Sequence, residues 1–238
     1  MSPSASRPAS RGLFVTGTDT GVGKTLVSCA LLRRCAAAGH SAIGMKPVAA
    51  GAERTGAGLR SDDVERLVAA STVPAPSALV NPYCFEPAVA PHVAAQDLGV
   101  SIDCDAIRDA YAGLAQRADR VVVEGVGGFR VPLGAHHDGA DLAQRLALPV
   151  VLVVALRLGC LNHALLTARA IRECGLVLAG WVANCIDPAM ARIDASIAAL
   201  DERLEAPRIA TLPLLDAADR APARVAALIA VDPFDRIA

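Results

Sequence analysis

The chain contains two runs of apolar residues that no polar residue interrupts, Val121–Val123 and Val150–Ala155. Strands that are buried on both faces of a sheet have this pattern, whereas strands with one exposed face alternate apolar and polar residues. Ala- and Leu-rich segments with helical periodicity separate the short apolar runs along the chain. The sequence therefore predicts an α/β fold, doubly wound, with a mainly parallel sheet and helices on both faces.

The apolar runs and the helical segments also predict the bounds of the individual elements. The predicted strands are Leu13–Thr16, Ser41–Met45, Arg120–Glu124, Val150–Ala155, Leu176–Ala183 and Arg208–Thr211. The predicted helices are Lys24–Ala38, Ser61–Ala70, Asp103–Ala118, Asn162–Cys174, Met190–Leu204 and Ala221–Ala230. Ligands of doubly wound proteins bind beyond the carboxyl ends of the strands, so the residues that follow each strand are the first candidates for function.

The size and composition of the chain fit one domain. Its 238 residues are 53% hydrophobic, which provides for a large core, and neither a repeat nor a linker divides residues 12–238. Residues 1–11 are rich in Ser, Pro and Ala and are predicted to form a disordered N-terminal tail. The apolar stretch Leu146–Leu156 has about half of the ~20 residues that span a bilayer, and we interpret it as a buried strand.

Charge and cysteine content argue against several classes of protein. Lys and Arg number 23 and Asp and Glu number 24, so a net charge of -1 provides no positive field for nucleic acid or an anionic membrane. The 7 cysteines are scattered and include no C-x-x-C pair, which argues against a disulfide framework and a zinc site. We therefore expect a cytoplasmic protein that binds neither nucleic acid nor membrane.

The segment LFVTGTDTGVGKT leads from the first predicted strand into the first predicted helix. Gly21 and Gly23 would let backbone amides surround phosphate oxygens at the start of the helix. Lys24 would reach the β- and γ-phosphates, and the Thr25 hydroxyl would bind Mg²⁺. The strict pattern G-x-x-x-x-G-K-[ST] fails at one position, because Thr18 stands where the first glycine is expected. A glycine-rich turn without a ligand is the alternative, but the order of strand, loop and helix favours a P-loop NTPase-like nucleotide site.

Two acidic residues are candidates to complete a site for Mg²⁺ and nucleotide. Glu124 ends a predicted strand and precedes a glycine-rich turn, and Asp63 lies at the predicted helix start in GLRSDDVERL. A helix cap or a surface charge is the alternative role for either residue. Carboxylate oxygens are ligands that Mg²⁺ prefers, so their combination with the phosphate loop favours a metal site.

Lys46 follows the second predicted strand, in MKPV, and is predicted to lie at the same edge of the sheet as the phosphate loop. An ordinary solvated lysine is the alternative. An ammonium facing the γ-phosphate could neutralise a second anion. This arrangement suits phosphoryl transfer to an anionic acceptor, where catalysis consists mainly of positioning and charge stabilisation.

A series of motifs occurs in one order along the chain: GTDTGVGKT, MKPVAAG, GLRSDD, NPY with PH (Asn81–Tyr83 and Pro91–His92), VEGVGG, LGCLNHALLT and GWVAN. Together they resemble the dethiobiotin synthetase family, over a stretch from Leu13 to Leu215. The phosphate loop is shared by many ATPases. MKPV, LGCLNH and GWVAN in one chain are much more specific.

This resemblance implies a homodimeric cyclo-ligase of biotin synthesis that uses ATP and Mg²⁺. It would convert 7,8-diaminononanoate (diaminopelargonate) and CO₂ into dethiobiotin, with ADP and phosphate as the other products. In the family's mechanism one amine captures CO₂ as a carbamate, which attacks the γ-phosphate. The second amine then attacks the resulting carbamic-phosphoric anhydride and closes the ureido ring.

The resemblance also implies a role for individual residues. Thr20 and Lys46 would hold the carbamate, and Lys24 would bridge the carbamate and the γ-phosphate. The implied metal ligands are Thr25, Asp63 and Glu124. The implied nucleotide contacts are Gly21, Val22, Gly23, Lys24, Thr25, Leu26, Gly125, Val126 and Gly127 at the phosphates, and Asn184, Leu212, Pro213 and Leu214 at the adenine. The implied contacts to the substrate carboxylate are Gly159, Cys160, Leu161 and Asn162 of the other subunit.

Three positions depart from the pattern of the family. Ala50 stands in the substrate site where the family commonly has Ser, immediately before Gly51. Gly21 and Cys185 stand where the family often has acidic residues. No phosphate or metal ligand is lost, so we expect these changes to affect affinity more than activity.

Other classes of protein share parts of this pattern. A regulatory ATPase switch of the deviant phosphate-loop type typically has a further lysine near the start of the loop, but Thr18 and Thr20 leave no such lysine here. A related amidoligase would carry a glutaminase domain, for which 238 residues leave no room. A noncatalytic sensor copy would be expected to lose Lys24 or the metal-binding acids. The sequence therefore favours the ligase.

Overall fold

The computed structural model describes residues 12–56, 58–215 and 221–236. The predicted N-terminal tail, residues 1–11, lies outside the described residues. The strands are β1 (Gly12–Gly17), β2 (Ala42–Met45), β3 (Val48–Ala50), β4 (Glu53–Thr55), β5 (Gly58–Arg60), β6 (Tyr83–Phe85), β7 (Arg120–Glu124), β8 (Val150–Leu156), β9 (Leu178–Cys185) and β10 (Arg208–Leu212). The α-helices are α1 (Lys24–Ala37), α2 (Asp62–Ala70), α3 (Ser77–Val80), α4 (Pro91–Asp97), α5 (Cys104–Ala115), α6 (Gly139–Leu146), α7 (Cys160–Glu173), α8 (Ile193–Arg203) and α9 (Pro222–Ala227).

Six strands form the central sheet in the order β10-β9-β8-β1-β7-β2. Every neighbouring pair is parallel, and β1 lies between β7 and β8. The chain therefore crosses from one side of β1 to the other, which is the doubly wound arrangement that the apolar runs predict. All six strands end at one edge of the sheet, where the segments that follow them meet.

Helices cover both faces of the sheet. Leu31 of α1 and Leu67 of α2 belong to a buried cluster on one face, and Ile107 of α5 belongs to a buried cluster on the other. Within the run Val121–Val123, the outer two residues join the second cluster and the middle residue joins the first. Both sides of β7 are thus removed from water, which explains why this strand is apolar at successive positions.

The predicted central elements are confirmed, with ends displaced by a few residues. The strand predicted over Leu176–Ala183 begins at Leu178, because Val177 is still exposed in the turn after α7. The helix predicted from Asn162 begins two residues earlier, at Cys160. Displacements of this size are usual where helices end in tight turns.

The interpretation of Leu146–Leu156 as one buried strand is wrong at its start. Leu146 is the last residue of α6, and β8 begins only at Val150. Asp138 caps α6 with a capping box, and Ala147 ends the helix in the left-handed conformation with φ 51°. The side chain of Leu146 is buried as part of a helix, so its apolar character does not distinguish the two elements.

Short elements that the sequence does not predict complete the fold. Strands β3 and β6 form a parallel pair and β4 and β5 form an antiparallel pair, and α3, α4 and α6 lie in segments for which the sequence predicts no helix. Strands of three residues are too short to show a periodicity. In the described part of the chain, no helix is both long and apolar enough to cross a membrane.

Candidate active site

A cleft of about 840 Å³ opens beyond the carboxyl ends of the central strands. It brings together most of the residues predicted for the site, although they come from widely separated parts of the chain. The predicted residues that line it are Thr20, Gly21, Gly23, Lys24, Thr25, Leu26, Lys46, Ala50, Asp63, Glu124, Val126, Gly127 and Asn184.

Lys46 joins two carboxylates at the floor of this cleft. Its Nζ lies 2.6 Å from Glu124 Oε1 and 3.0 Å from Asp63 Oδ2. Thr25 Oγ1 lies 2.7 Å from Asp63 Oδ1 and 2.9 Å from Glu124 Oε1, and its single proton can be donated to either oxygen. Lys46 is 3% exposed and Glu124 is fully buried, so the ammonium offsets a charge that would otherwise be costly to bury.

The charges of this cluster support one another. Burial disfavours the charged form of Lys46, but attraction to Glu124 and Asp63 outweighs burial and raises the pKa of the ammonium. Burial likewise opposes ionisation of Asp63, yet the nearby Lys46 and the hydrogen bond from Thr25 lower its pKa. The cluster therefore holds a protonated lysine beside an ionised Asp63 at neutral pH.

Lys24 occupies a different electrostatic environment. Its Nζ donates a 2.9 Å hydrogen bond to the backbone oxygen of Asp19, within the phosphate loop. Burial, followed by repulsion from Lys46, lowers its pKa to about 8. A buried ammonium held mainly by a carbonyl lacks a strong counter-charge, so an anion bound in the cleft would stabilise it.

The start of the phosphate loop is tied to the end of β8. Asp19 Oδ2 lies 2.6 Å from a guanidinium nitrogen of Arg157, and Asp19 Oδ1 accepts a 2.7 Å hydrogen bond from the backbone N–H of Thr20. The hydrogen bond from Thr20 is the main cause of the lowered pKa of Asp19. Asp19, whose backbone oxygen accepts the hydrogen bond from Lys24, is thus also held by the residue that follows β8.

The other end of the loop packs against β9. Gly23 has φ 99°, and a Cβ there would lie 2.3 Å from Asn184 Nδ2, so this position needs glycine both for conformation and for space. Asn184 is buried and donates a 2.8 Å hydrogen bond from Nδ2 to the backbone oxygen of Val22. The same residue lines the cleft.

Some predicted site residues do not line the cleft. Val22 is buried beneath the loop, and Gly125 contributes its carbonyl oxygen 3.3 Å from Lys46 Nζ. At the end of β10 the cleft is lined by Leu215, and not by the predicted residues Leu212, Pro213 and Leu214. Gly159, Cys160, Leu161 and Asn162 are also absent from the lining, and they form the start of α7.

Other residues of the lining are not predicted from the sequence. They are Arg66, Ala88, Val89, Ala90, Pro91, Val131, Cys185, Ile186 and Leu215. Arg66 follows Asp63 by three positions on α2, so helical spacing could have indicated that both side chains face the same way. Ala88–Ala90 are apolar and lead into α4, and their sequence gives no indication of a binding site, whereas Pro91 begins α4 and belongs to the PH motif.

The oxygen ligands of the cleft fit a magnesium ion. Thr25, Asp63 and Glu124 provide a hydroxyl and two carboxylates, the hard donors that Mg²⁺ prefers beside nucleotide phosphates. Glu124 Oε2 is buried and has no hydrogen-bond partner among the described residues. A buried carboxylate oxygen without a partner is costly to keep unless a cation or an ordered water uses it.

Relatives of known name match this chain over nearly its whole length. ATP-dependent dethiobiotin synthetase BioD of Aromatoleum aromaticum is 54% identical over 91% of this chain and 96% of its own. The enzyme of the same name from Nitrosospira multiformis is 53% identical over 85% and 88%, and that from Pseudomonas paraeruginosa is 50% identical over 93% and 96%. A family model described as an AAA domain matches residues 11–221.

Solved structures show the same fold at much lower sequence identity. The MinD cell division protein of Aquifex aeolicus is 16% identical, with a TM-score of 0.56 over 95% of this chain and 96% of its own. MinD of Pyrococcus horikoshii, solved with Mg-ADP, is 14% identical, with a TM-score of 0.55 over 91% and 86%. These structural similarities confirm a P-loop NTPase-like fold, whereas membership of a family is shown by the relatives with high sequence identity. The chain is a ligase that belongs to the ATP-dependent dethiobiotin synthetase family.

Proposed function

We propose that the cleft carboxylates 7,8-diaminononanoate with CO₂ and closes the ureido ring of dethiobiotin, with ATP converted to ADP and phosphate. The observation that carries this proposal is the cluster of the buried residues Lys46 and Glu124 with the partly buried residues Asp63 and Thr25, beside Lys24. A nucleotide hydrolase needs the phosphate loop and the metal ligands. A second buried ammonium in the same cleft suits an enzyme that must also hold an anionic acceptor.

In the first part of the reaction, one amine of the substrate bonds to the carbon of CO₂ and loses a proton, which gives a carbamate. Lys46 and Thr20 line the cleft, which supports the proposal that they hold the carbamate oxygens. A carbamate oxygen then bonds to the γ-phosphorus as the bond to the ADP oxygen breaks. Lys24 favours this step because its ammonium, poorly compensated in the free protein, gains an anionic partner on each side.

In the second part, the other amine attacks the carbamate carbon. The bond from that carbon to the phosphate oxygen breaks, phosphate leaves with its electron pair, and the attacking nitrogen loses a proton. The ring closes without oxidation or reduction. Lys46 neutralises charge on the leaving phosphate, and its ammonium is already held in the cleft by the buried Glu124.

We propose Mg²⁺ as the metal, held by Thr25, Asp63 and Glu124. When bound, the ion neutralises charge on the transferred phosphate. The carboxylates of Asp63 and Glu124 are oriented for this role by Lys46 and Thr25, which contact both of them. Asn184, at the edge of the cleft, is the residue proposed to read the adenine.

We also propose a homodimer in which α7 of one subunit completes the substrate site of the other. Gly159–Asn162, which should hold the substrate carboxylate, do not line the cleft of their own chain. Amides at the start of a helix of this length form a suitable carboxylate site. Leu158 beside them is 97% exposed, and Leu161 and Leu166 are also exposed, which supports burial of this helix start against another subunit.

The cytoplasm is the compartment that we propose. ATP is supplied there, and the 7 cysteines are free thiols, as expected of a protein kept under reducing conditions.

Phosphate release tests the proposed reaction. The protein is mixed with Mg²⁺, ATP and bicarbonate, with and without 7,8-diaminononanoate, and phosphate and dethiobiotin are measured. We expect phosphate release that depends on the diamine and equals the dethiobiotin formed. Phosphate release that is indifferent to the diamine would instead support a switch ATPase.

Subunit complementation tests the shared site. One variant carries Lys46→Gln, which disables the cleft, and the other carries a bulky insertion after Leu161, which disables the start of α7. Each variant alone should be nearly inactive, and a mixed dimer should regain activity because one of its two sites combines an intact cleft with an intact helix start. Mixtures that stay inactive after subunit exchange has been demonstrated would show that each chain builds its own site.

A further inference from the structure

We propose that Arg66 is a nucleotide-binding residue whose guanidinium binds the phosphate chain from the side of α2, opposite Lys24. This inference goes beyond the ligands that the motifs of the chain indicate. It rests on nucleotide binding in the cleft and not on the identity of the diamine substrate.

The position of Arg66 is the first support. It lies on α2, one turn beyond Asp63, and it lines the cleft together with Thr25 and Leu26 of α1. The amides that follow Lys24 in a phosphate loop face the α- and β-phosphates. A long side chain that enters the cleft beside these residues therefore reaches the part of the nucleotide nearer the ribose.

Within the described part of the chain, the charge of Arg66 has no acidic partner. The side chain is exposed, and it makes no ion pair with any residue in 12–56, 58–215 or 221–236. Arg60, just before α2, is already paired with Glu65 on that helix. An arginine that faces a phosphate cleft and leaves its five N–H donors uncommitted is suited to bind an anion through more than one oxygen.

The electrostatics of the neighbourhood agree with this placement. Burial, with Glu124 and Asp63 as further causes, raises the pKa of the Cys29 thiol to about 12, and Arg66 partly opposes that rise. The positive charge of Arg66 therefore acts on Cys29, which lies one turn of α1 beyond Thr25. Because Asp63 and Glu124 place negative charge on this side of the cleft, a polyphosphate needs a cation here as well as the metal.

Binding of nucleotides to the complete protein, without bicarbonate or diamine, tests the proposal. The change is Arg66→Gln, and the probes are ATP, ADP and adenosine with Mg²⁺, measured by titration calorimetry. We expect ATP and ADP to bind about three- to tenfold more weakly, as fits one charged contact at a half-open site, while adenosine binds as before. The loss for ADP should shrink as KCl is raised, because salt screens an exposed charge.

Two controls separate a phosphate contact from a general effect. Arg34→Gln removes the same charge from α1, at an exposed position that does not line the cleft, and it should leave ADP affinity unchanged. Arg66→Lys should restore part of the lost affinity, because it returns the charge without the planar fork. Unaltered ADP affinity in Arg66→Gln would overturn the proposal, and so would an equal loss for adenosine. Neither result depends on whether the protein makes dethiobiotin.

Discussion

Replacement of Lys46 by Gln should lower both the free energy of unfolding and the turnover of this protein, and the two effects can be measured separately. Breaking a buried ion pair by removal of one partner costs about 3–5 kcal/mol. The partner that decides the loss is Glu124, which is fully buried and 2.6 Å away, whereas Asp63 is 42% exposed and contributes less because water screens it. We therefore expect a loss of about 3 kcal/mol in the free energy of unfolding of the nucleotide-free protein.

Turnover should fall by about 10²–10³, the usual effect of removing one preorganised charge that stabilises a transition state. ADP binding should stay nearly unchanged, because we propose that Lys46 holds the carbamate and not the nucleotide. Urea unfolding measures the stability, titration of ADP measures the affinity, and dethiobiotin formation measures turnover. Added MgCl₂ should return part of the lost stability to the variant, since the ion replaces the ammonium as the counter-charge of Glu124 and Asp63.

Two controls make the result decisive. Lys46→Arg keeps the charge and should lose less stability than Lys46→Gln. Arg169→Gln breaks an exposed pair with Glu173 and should leave the urea midpoint where it is. The reasoning would be refuted by a Lys46→Gln protein that unfolds at the same urea concentration as the parent. An equal loss of ADP affinity and turnover would show that Lys46 serves the nucleotide and not the acceptor.

Three further changes test other parts of the site. Lys24→Ala should abolish turnover, because both the γ-phosphate and the carbamate lose their shared cation, and near-normal dethiobiotin formation would contradict the phosphate-loop assignment. Ala50→Ser should lower the apparent KM for the diamine by up to about tenfold, because it adds one hydrogen bond, and should change kcat little. If only the Ala50→Ser variant is active with the diamine, the natural substrate is a different one. Iodoacetamide at pH 8 should modify Cys185, which lines the cleft, more slowly when Mg-ADP is present. It should spare Cys35 and Cys104, because burial raises their thiol pKa values to about 12 and about 11. Mass spectrometry of the labelled protein measures the extent of modification at each cysteine.

The central sheet could be predicted because the apolar pattern of each strand is visible in its own short segment of the sequence. Val121–Val123 and Val150–Ala155 need burial on both sides, and only a sheet between two helical layers provides it. The pair of β3 and β6 could not be predicted, since neither strand is long enough to show a pattern and their pairing depends on the path of the chain between them. Leu146 shows a further limit, because burial alone does not separate the last turn of a helix from the first residues of a strand.

The site was predictable where a residue lies at the carboxyl end of a strand. Glu124 is the last residue of β7 and Lys46 directly follows β2, and the parallel pairing of these two strands brings them together. Arg66 was not predictable in the same way, because an arginine on a short helix usually faces water. Its entry into the cleft depends on how α2 packs on α1, which is a property of the assembled fold.

The contact between Gly23 and Asn184 also limits how this enzyme could be redesigned. Asn184 approaches the loop so closely that no side chain fits at position 23, and it holds the loop by a bond to the carbonyl of Val22. A larger residue at position 184, chosen to accept another base, would press on the segment that presents Lys24 and Thr25. Since we propose that Asn184 contacts the adenine, we infer that base preference and phosphoryl transfer are linked through this contact, and that a change of nucleotide would need compensating substitutions in the loop itself.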